Sequence, residues 1–422
     1  MKKFILSKLK ILINLSNLII FLPFILIFLV MEYFFKIKFR VEELRSDRIG
    51  HFSQNLEVYL YELHELKHSK VKFIDFIFLS SFVSNKFLLE LWKKKIIIFP
   101  RFFFKNFFLG LNFFTKIINI FFKKDYNFRI NTLVIRSNSD RKLTDLYSVH
   151  KQQVHLTENE MQRGYNELKN FNKELSPESQ IVLLNVRDSE YLRTSIPNID
   201  WSYHNFRDDN ILDFLPASNL IASKKYYVFR MGKINKVKIN SKNQRIIDYS
   251  FSENKSDFMD VFLAYICKFC FTTFGGYDGL TKIFRKKLVG INSGNIAGIF
   301  HGEYFFSTFS HYYSIEQKKN LSISEIFENG LAYITMSEQL EKKRIELIKP
   351  SAQELVDLIS EFLHEDYNKE MNSENKLLHQ KFWDILNYNI KKYKFQHLHH
   401  NYTYIKPRVS FAFLKKNTYF LN

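Results

Sequence analysis

The sequence predicts an α/β protein of two Rossmann-like domains facing each other across a cleft, preceded by an N-terminal membrane helix. Three observations carry this. First, Ile11 to Met31 contains 21 residues without a charge, long enough to cross a bilayer core at about 1.5 Å per helical residue. Second, short apolar runs alternate with helix-like segments along the rest of the chain, the pattern of a doubly wound sheet. Third, the run Ile181-Val182-Leu183-Leu184-Asn185-Val186 leads directly into Arg187-Asp188-Ser189-Glu190-Tyr191. Such a run reads as a buried parallel strand, and open α/β sheets hold their ligands at the carboxyl ends of strands.

The organisation expected is a membrane anchor over 1–36, a first Rossmann-like domain over 37–160, a second Rossmann-like domain over 161–365, and a basic helical tail over 366–422. The anchor has Lys2, Lys3, Lys8 and Lys10 before its apolar stretch and Lys36, Lys38 and Arg40 after it. With both flanks basic, the positive-inside rule leaves orientation open, so a true span and a one-sided insertion both stand. Pro23 is expected to kink the helix, which membranes tolerate. A second apolar stretch, 96–122, is interrupted by Arg101, Lys105 and Lys116. It suits either a helix lying among lipid headgroups or a core helix with snorkelling cations.

In the first domain, Lys38–Val41 is a strand candidate, followed by a loop to a helix over 55–66, a strand over 71–79, a helix over 87–92 and a strand over 95–99. Residues 125–160 are more polar and include the connection between the halves. Thr157 and Glu160 form a capping box for a helix over 158–171. The second half then reads as strands at 181–186, 226–230, 245–248, 269–273 and 287–291, with helices at 210–222, 256–266 and 279–286. Further short helices are expected at 321–330, 337–342 and 351–363.

The net charge is +19. Residues 1–125 carry 21 Lys/Arg against 10 Asp/Glu, and 381–422 carry 8 against 1, so the middle is close to neutral. Basic ends that flank apolar stretches point to an anionic membrane surface. No nucleic-acid reading element accompanies the charge, which argues against nucleic acid as a partner. The 46 phenylalanines, beside many Lys, Asn and Ile, are what a genome low in G+C imposes and carry no functional argument. Cys267 and Cys270 form a lone Cys-X-X-Cys in an apolar run, read as buried thiols in a reducing compartment.

Three strand ends present the chemistry of one anionic-ligand site. Arg187 and Arg230 match the fork geometry of phosphate, with pairing to Asp188 or Asp248 as the structural alternative. The turn Phe274-Gly275-Gly276-Tyr277-Asp278-Gly279, preceded by Thr272 and Thr273, offers backbone N–H groups and a helix end to a phosphate. Gly232 follows the second arginine strand. Ser256-Asp257 is a helix cap, and Asp260, one turn on, is placed to face the ligand. No Asp-X-Asp triplet occurs, which favours a metal-free site where arginines and a helix end stabilise a departing diphosphate. In the first domain, Asp47, Arg48, Gly50 and His51 occupy the loop after the first strand, with glycine allowing a tight turn. His51 is the candidate base for an acceptor hydroxyl, and Asp47 is the other.

With Arg45-Ser46-Asp47-Arg48-Ile49-Gly50-His51 and Val186-Arg187-Asp188-Ser189 in view, the chain resembles a family of bacterial glycosyltransferases of surface-carbohydrate clusters, known mainly from genome sequences. The likeness runs from about Phe39 to near the carboxyl terminus. It takes in Phe229–Gly232, Ile247-Asp248-Tyr249, Ser256–Leu263, Ile345–Ile348 before Ser351-Ala352-Gln353-Glu354-Leu355, and Ser410–Leu414. The resemblance implies a GT-B arrangement, with a nucleotide-sugar donor in the second domain and a glycan or lipid-linked acceptor facing the first. It also implies a bacterial inner-membrane enzyme with cytoplasmic catalytic domains. Where the family has small residues in the phosphate turn, this chain has Phe274 and Tyr277-Asp278. That departure keeps a second expectation open, a membrane-anchored carbohydrate-assembly protein of the same fold without turnover.

Overall fold

The computed structural model describes residues 2–67, 69–123, 126–133, 147, 150–299, 304–364, 371–396 and 406–422. The chain forms two compact units, Met1–Asp140 and Arg141–Asn422. Much of the connection expected within 125–160 lies outside the described residues.

Unit 1 runs α1 (Lys2–Phe35), β1 (Ile37–Leu44), α2 (Ile49–Leu66), β2 (Lys72–Leu79), α3 (Lys86–Lys93), β3 (Ile98–Phe99) and α4 (Arg101–Phe122). Its sheet has the order β1-β2-β3, parallel throughout, the βαβαβ pattern expected. The largest difference is at the start of α2, six residues earlier than its apolar face suggested. Gly50, Ser53, Gln54 and Asn55 are buried in its first turns, and Ser53 Oγ donates back to the Ile49 carbonyl at 2.8 Å. Small polar residues can read as loop yet close a helix turn when their side chains bond within it.

The helix α1 continues through Pro23 and buries one stripe. Phe21 and Ile25 pack with Val41, Phe78, Phe107, Leu111 and Phe128, joined by Leu18, Phe28 and Leu29. Phe28 stacks on Phe39 of β1 at 3.9 Å between ring centroids. Gly110 is the close-approach point of α4, since a Cβ there would lie 2.8 Å from the Asn17 carbonyl oxygen. The 96–122 stretch is therefore a short strand and then a helix with one core face, while Phe102, Ile120, Phe121 and Phe122 remain exposed.

Unit 2 is built on β4 (Ile181–Asn185), β5 (Tyr227–Arg230), β6 (Ile246–Ile247), β7 (Phe269–Thr272), β8 (Lys287–Asn292), β9 (Phe305–Phe309) and a late strand introduced below. A small antiparallel sheet follows, of β10 (His311–Ser314), β11 (Lys319–Asn320) and β12 (Ile345–Ile348), in the order β11-β10-β12. The late strand is β13 (Arg408–Val409), and the main sheet has the order β13-β9-β8-β7-β4-β5-β6. Every pairing in it is parallel. The helices are α5 (Glu158–Leu168), α6 (Glu190–Ser195), α7 (Leu215–Ser223), α8 (Asp257–Ile266), α9 (Asp278–Ile283), α10 (Ile323–Glu328), α11 (Glu338–Lys342), α12 (Ala352–His364), α13 (Ser373–Lys392) and α14 (Phe411–Lys416). The capping box at α5 is formed on both arms, Thr157 Oγ1 accepting from Glu160 and Glu160 accepting from Thr157.

Each residue of β4 is buried, as expected for a central strand covered on both faces. One layer against it includes Phe214, Ile221, Leu355 and Phe362. The segment expected as a separate tail belongs to unit 2: Phe382, Trp383 and Leu386 of α13 share a core with Phe309, Ile323 and Phe413. Glu361 of α12 caps α14, accepting from the Ser410 hydroxyl and from the Phe411 and Ala412 backbone N–H groups.

Candidate functional site

The carboxyl ends of β4, β7, β8 and β9 gather a polar cluster. Arg187 lies two residues beyond the end of β4. Its backbone N–H donates to Thr273 Oγ1 at 2.9 Å, while the Thr273 N–H donates to the Asn185 carbonyl at 3.1 Å. Two strand ends are thereby laced together. The Arg187 guanidinium gives Nε to Asp208 at 3.1 Å, and its Nη2 is buried without a hydrogen-bond partner. Burial pushes the Asp208 carboxyl up against the opposing charge of Arg187.

Lys349 donates to Asp209 Oδ2 and to Ser293 Oγ, both at 3.3 Å. Burial lowers the lysine against the pull of Asp209, and burial likewise raises Asp209. Arg207 Nη2 donates to the Phe274 carbonyl at 2.9 Å. Arg187, Arg207 and Lys349 thus stand with two aspartates around the glycine turn, a concentration of cations suited to an anion. Arg207, Asp208, Asp209, Ser293 and Lys349 escaped the sequence reading. The run of three charges after β4 was a usable signal. Lys349 gave one too, following the strand-like Ile345-Glu346-Leu347-Ile348 and preceding Pro350.

The turn itself departs from the expected cradle. Phe274 takes the left-handed conformation, φ +53°. Gly275 lies over the end of β4, where a Cβ would come 3.2 Å from Asn185 Nδ2. The helix that follows, α9, has only six residues and begins with Asp278, and Gly279 lies inside it; the Gly279 N–H donates to the Gly276 carbonyl. Asp278 turns inward: its Oδ1 accepts from Asn185 Nδ2 and Thr272 Oγ1, each at 2.7 Å. Burial lifts this carboxyl to about 6, against the charge of Lys282. The donors at the strand ends therefore bind an internal carboxylate, and the expectation that this short helix aims a clean positive end at a phosphate is corrected.

Arg230 also departs from expectation. It is the last residue of β5, paired with Leu184 in the sheet, and only 1% exposed. Its Nη1 donates to Asp248 Oδ1 at 3.0 Å, and Asp248 Oδ2 accepts from the Ile239 N–H at 2.6 Å. Arg230 and Asp248 are a buried structural pair, not groups at the sheet's mouth. Gly232 takes φ +145°, a backbone conformation that L side chains rarely adopt. Asp260 accepts from the Tyr249 hydroxyl at 2.8 Å and is pushed up to about 6 by burial. It holds Tyr249 in the packing of α8. Asp188 ties two loops, accepting from the Glu190 and Lys236 N–H groups, each at 3.0 Å.

In unit 1, a cavity of about 320 Å³ is lined by Glu42, Glu43, Arg45, Asp47, Ser80 and Arg129 among others. Arg45 forks onto Asp47 at 2.8 and 2.9 Å. Burial would raise this carboxyl, but the Arg45 hydrogen bonds and the charges of Arg45 and Arg48 outweigh it and hold Asp47 below its ordinary range. That makes Asp47 a weak base. Arg129 forks onto the buried Glu42 at 2.7 and 2.5 Å. Arg48 is the extended residue that starts α2, and Gly50 and His51 lie within the first turn of that helix. The expected loop with a glycine-dependent turn is therefore not formed: the chain is already helical at Gly50, so no special backbone conformation is used there.

No family model matches the chain, and no curated protein matches it. Two solved structures show a likeness. The glycosyl transferase family 9 protein from Veillonella parvula DSM 2008 is 9% identical at a TM-score of 0.37, covering 76% of this chain and 97% of that one. The E. coli ADP-heptose lps heptosyltransferase II is 13% identical at a TM-score of 0.38, covering 77% and 98%. Likeness at this level is too slight to carry fold or activity from those proteins to this chain.

Proposed function

We propose that the chain is a glycosyltransferase of the hexosyltransferase type. On this reading it moves a sugar from a nucleotide-sugar donor to a membrane-associated glycan or lipid-linked acceptor in bacterial surface polysaccharide biosynthesis. Unit 2 takes the donor and unit 1 the acceptor, both on the cytoplasmic side of the inner membrane. The observation that carries the proposal is Arg187. It stands past the end of the central strand β4, beside the glycine turn, with its Nε held by Asp208. An arginine so placed is a fixed positive charge for the diphosphate, ground-state and departing alike. Arg207 and Lys349 add charge at the same strand ends. The metal-independent form of the reaction rests on the missing Asp-X-Asp triplet, so a chelator is expected to leave turnover unchanged.

His51 is the proposed base for the acceptor hydroxyl, since Asp47 is already held as a poor one. His51→Ala is expected to reduce turnover by about 10²–10⁴-fold while leaving donor affinity near wild type. Ordinary turnover in that variant would move the role to another group of unit 1. For the donor, melting temperatures with UDP-, GDP-, CMP- and TDP-sugars form the direct test, because a ligand bound to the native state raises the melting point. A flat response to all four would sink the donor site. The second reading, a carbohydrate-assembly protein without turnover, is favoured by one observation: Asp278 occupies the Asn185 and Thr272 donors at the turn. Nucleotide binding without sugar transfer to any membrane extract would select it.

A further inference from the structure

The 21-residue uncharged stretch suggests a span, but unit 1 engages most of it. From Asn17 onward α1 is buried on one side: Phe21, Ile25, Phe28 and Leu29 join the core of unit 1, and Asn17 meets Gly110 of α4. The Tyr126 hydroxyl bonds Glu32 near the end of the helix. The sheet below carries a buried charge network, with Arg40 on Asp75 and Glu62, which cannot enter hydrocarbon. Ahead of Asn17, the uncharged part of α1 is only residues 11–16. Six residues cover roughly 9 Å, far short of the roughly 30 Å core of a bilayer.

The opposite side of the same helix is exposed and apolar: Ile19, Ile20, Phe24, Leu26, Ile27 and Val30. On α4, Phe102 is 88% exposed and Phe121 77% exposed. Exposed cations sit beside these faces, Lys8, Lys10 and Lys36 on α1 and its end, and Lys105, Lys116 and Lys123 on α4 and its end. An apolar helix face bordered by lysines fits the boundary between headgroups and acyl chains. We infer that unit 1 docks on a single leaflet of an anionic bilayer through the outer face of α1 and the exposed residues of α4, with α1 lying along the surface and not crossing it. This inference is independent of the proposed activity.

Two measurements on the full chain test it. Single cysteines at Ser7→Cys and Lys36→Cys are probed with an impermeant maleimide in intact spheroplasts and in sealed inverted vesicles; the native Cys267 and Cys270 are buried and give little background. Both sites are expected to label from one and the same side, and labelling from opposite sides would overturn the inference. Separately, Val30→Trp and Phe102→Trp are compared with wild type in vesicles of phosphatidylethanolamine and phosphatidylglycerol carrying brominated acyl chains. Both added tryptophans are expected to lose most of their emission. Quenching of neither, or a stable dimer that ignores the vesicles, would assign these faces to protein contact and overturn it as well.

Discussion

Arg187 and Arg230 are written alike in the sequence, each closing an apolar run, yet their fates are opposite. Arg230 is still inside its strand, in register with Leu184, so the sheet's own alternation carries it into a buried layer onto Asp248. Arg187 comes two residues after β4 has ended, where the chain has left the sheet and its side chain stands beside Asp208 and the glycine turn. In a strand successive side chains point to opposite faces. One or two residues at a strand's end thus decide whether an arginine supports the fold or meets a ligand.

The comparison breaks most visibly at Arg230. Arg230→Ala or Asp248→Ala leaves a buried charge without its partner, and either is expected to cost about 3–5 kcal/mol of stability in urea unfolding. Arg187→Ala should invert the pattern. It is expected to weaken nucleotide-sugar binding by about 1.5–3 kcal/mol in calorimetric titration, while its cost in stability stays below that of Arg230→Ala, because the Arg187 side chain is 13% exposed against 1% for Arg230. Loss of binding from Arg230→Ala in a fully folded sample, with none from Arg187→Ala, would reverse the roles assigned here.

Asp278 sharpens the contrast at a smaller scale. Its carboxyl is lifted to about 6, above its unfolded value, so folding favours the protonated form. The stability it contributes is present at low pH and lost as pH rises from about 4 through 6. Asp278→Asn is expected to flatten the difference between stability at pH 4 and pH 7 by something on the order of 1–3 kcal/mol, read from urea midpoints across that range. An unchanged pH profile would mean the carboxylate is not held inside the turn.

The main strands of the two parallel sheets were legible because aliphatic and aromatic runs bounded by charge or glycine leave little choice of element, whereas the short strands of the antiparallel sheet were not. The strand β9 was not, since Ser307 and Thr308 interrupt its aromatics and its burial comes from distant parts of the chain, Phe362 against Phe306 and Phe382, Phe413 and Phe420 against Phe309. The start of α2 was missed for the related reason that Gly50, Ser53, Gln54 and Asn55 are buried by tertiary packing. At the site, Arg187, Thr273 and Gly275 were recoverable from strand-end position. Lys349 and Asp209 meet only through folding, 140 residues apart in the chain, and no local pattern links them. The inward turn of Asp278 was equally hidden, because it depends on Asn185, 93 residues earlier.

The edge strand β13 gives the sheet of unit 2 a timetable. Arg408 and Val409 pair with Phe306 and Ser307, so a ribosome must add about a hundred residues after β9 before that strand gains its outer neighbour. During that interval an aromatic-rich edge has open hydrogen-bonding groups, the kind of surface that pairs with other nascent chains. Chains ending before Arg408 keep that edge permanently and also lose the packing of Phe411, Phe413 and Phe420. Such products are expected in the aggregated fraction, so the pairing of Arg408 and Val409 with β9 separates chains that can close the sheet from those that cannot.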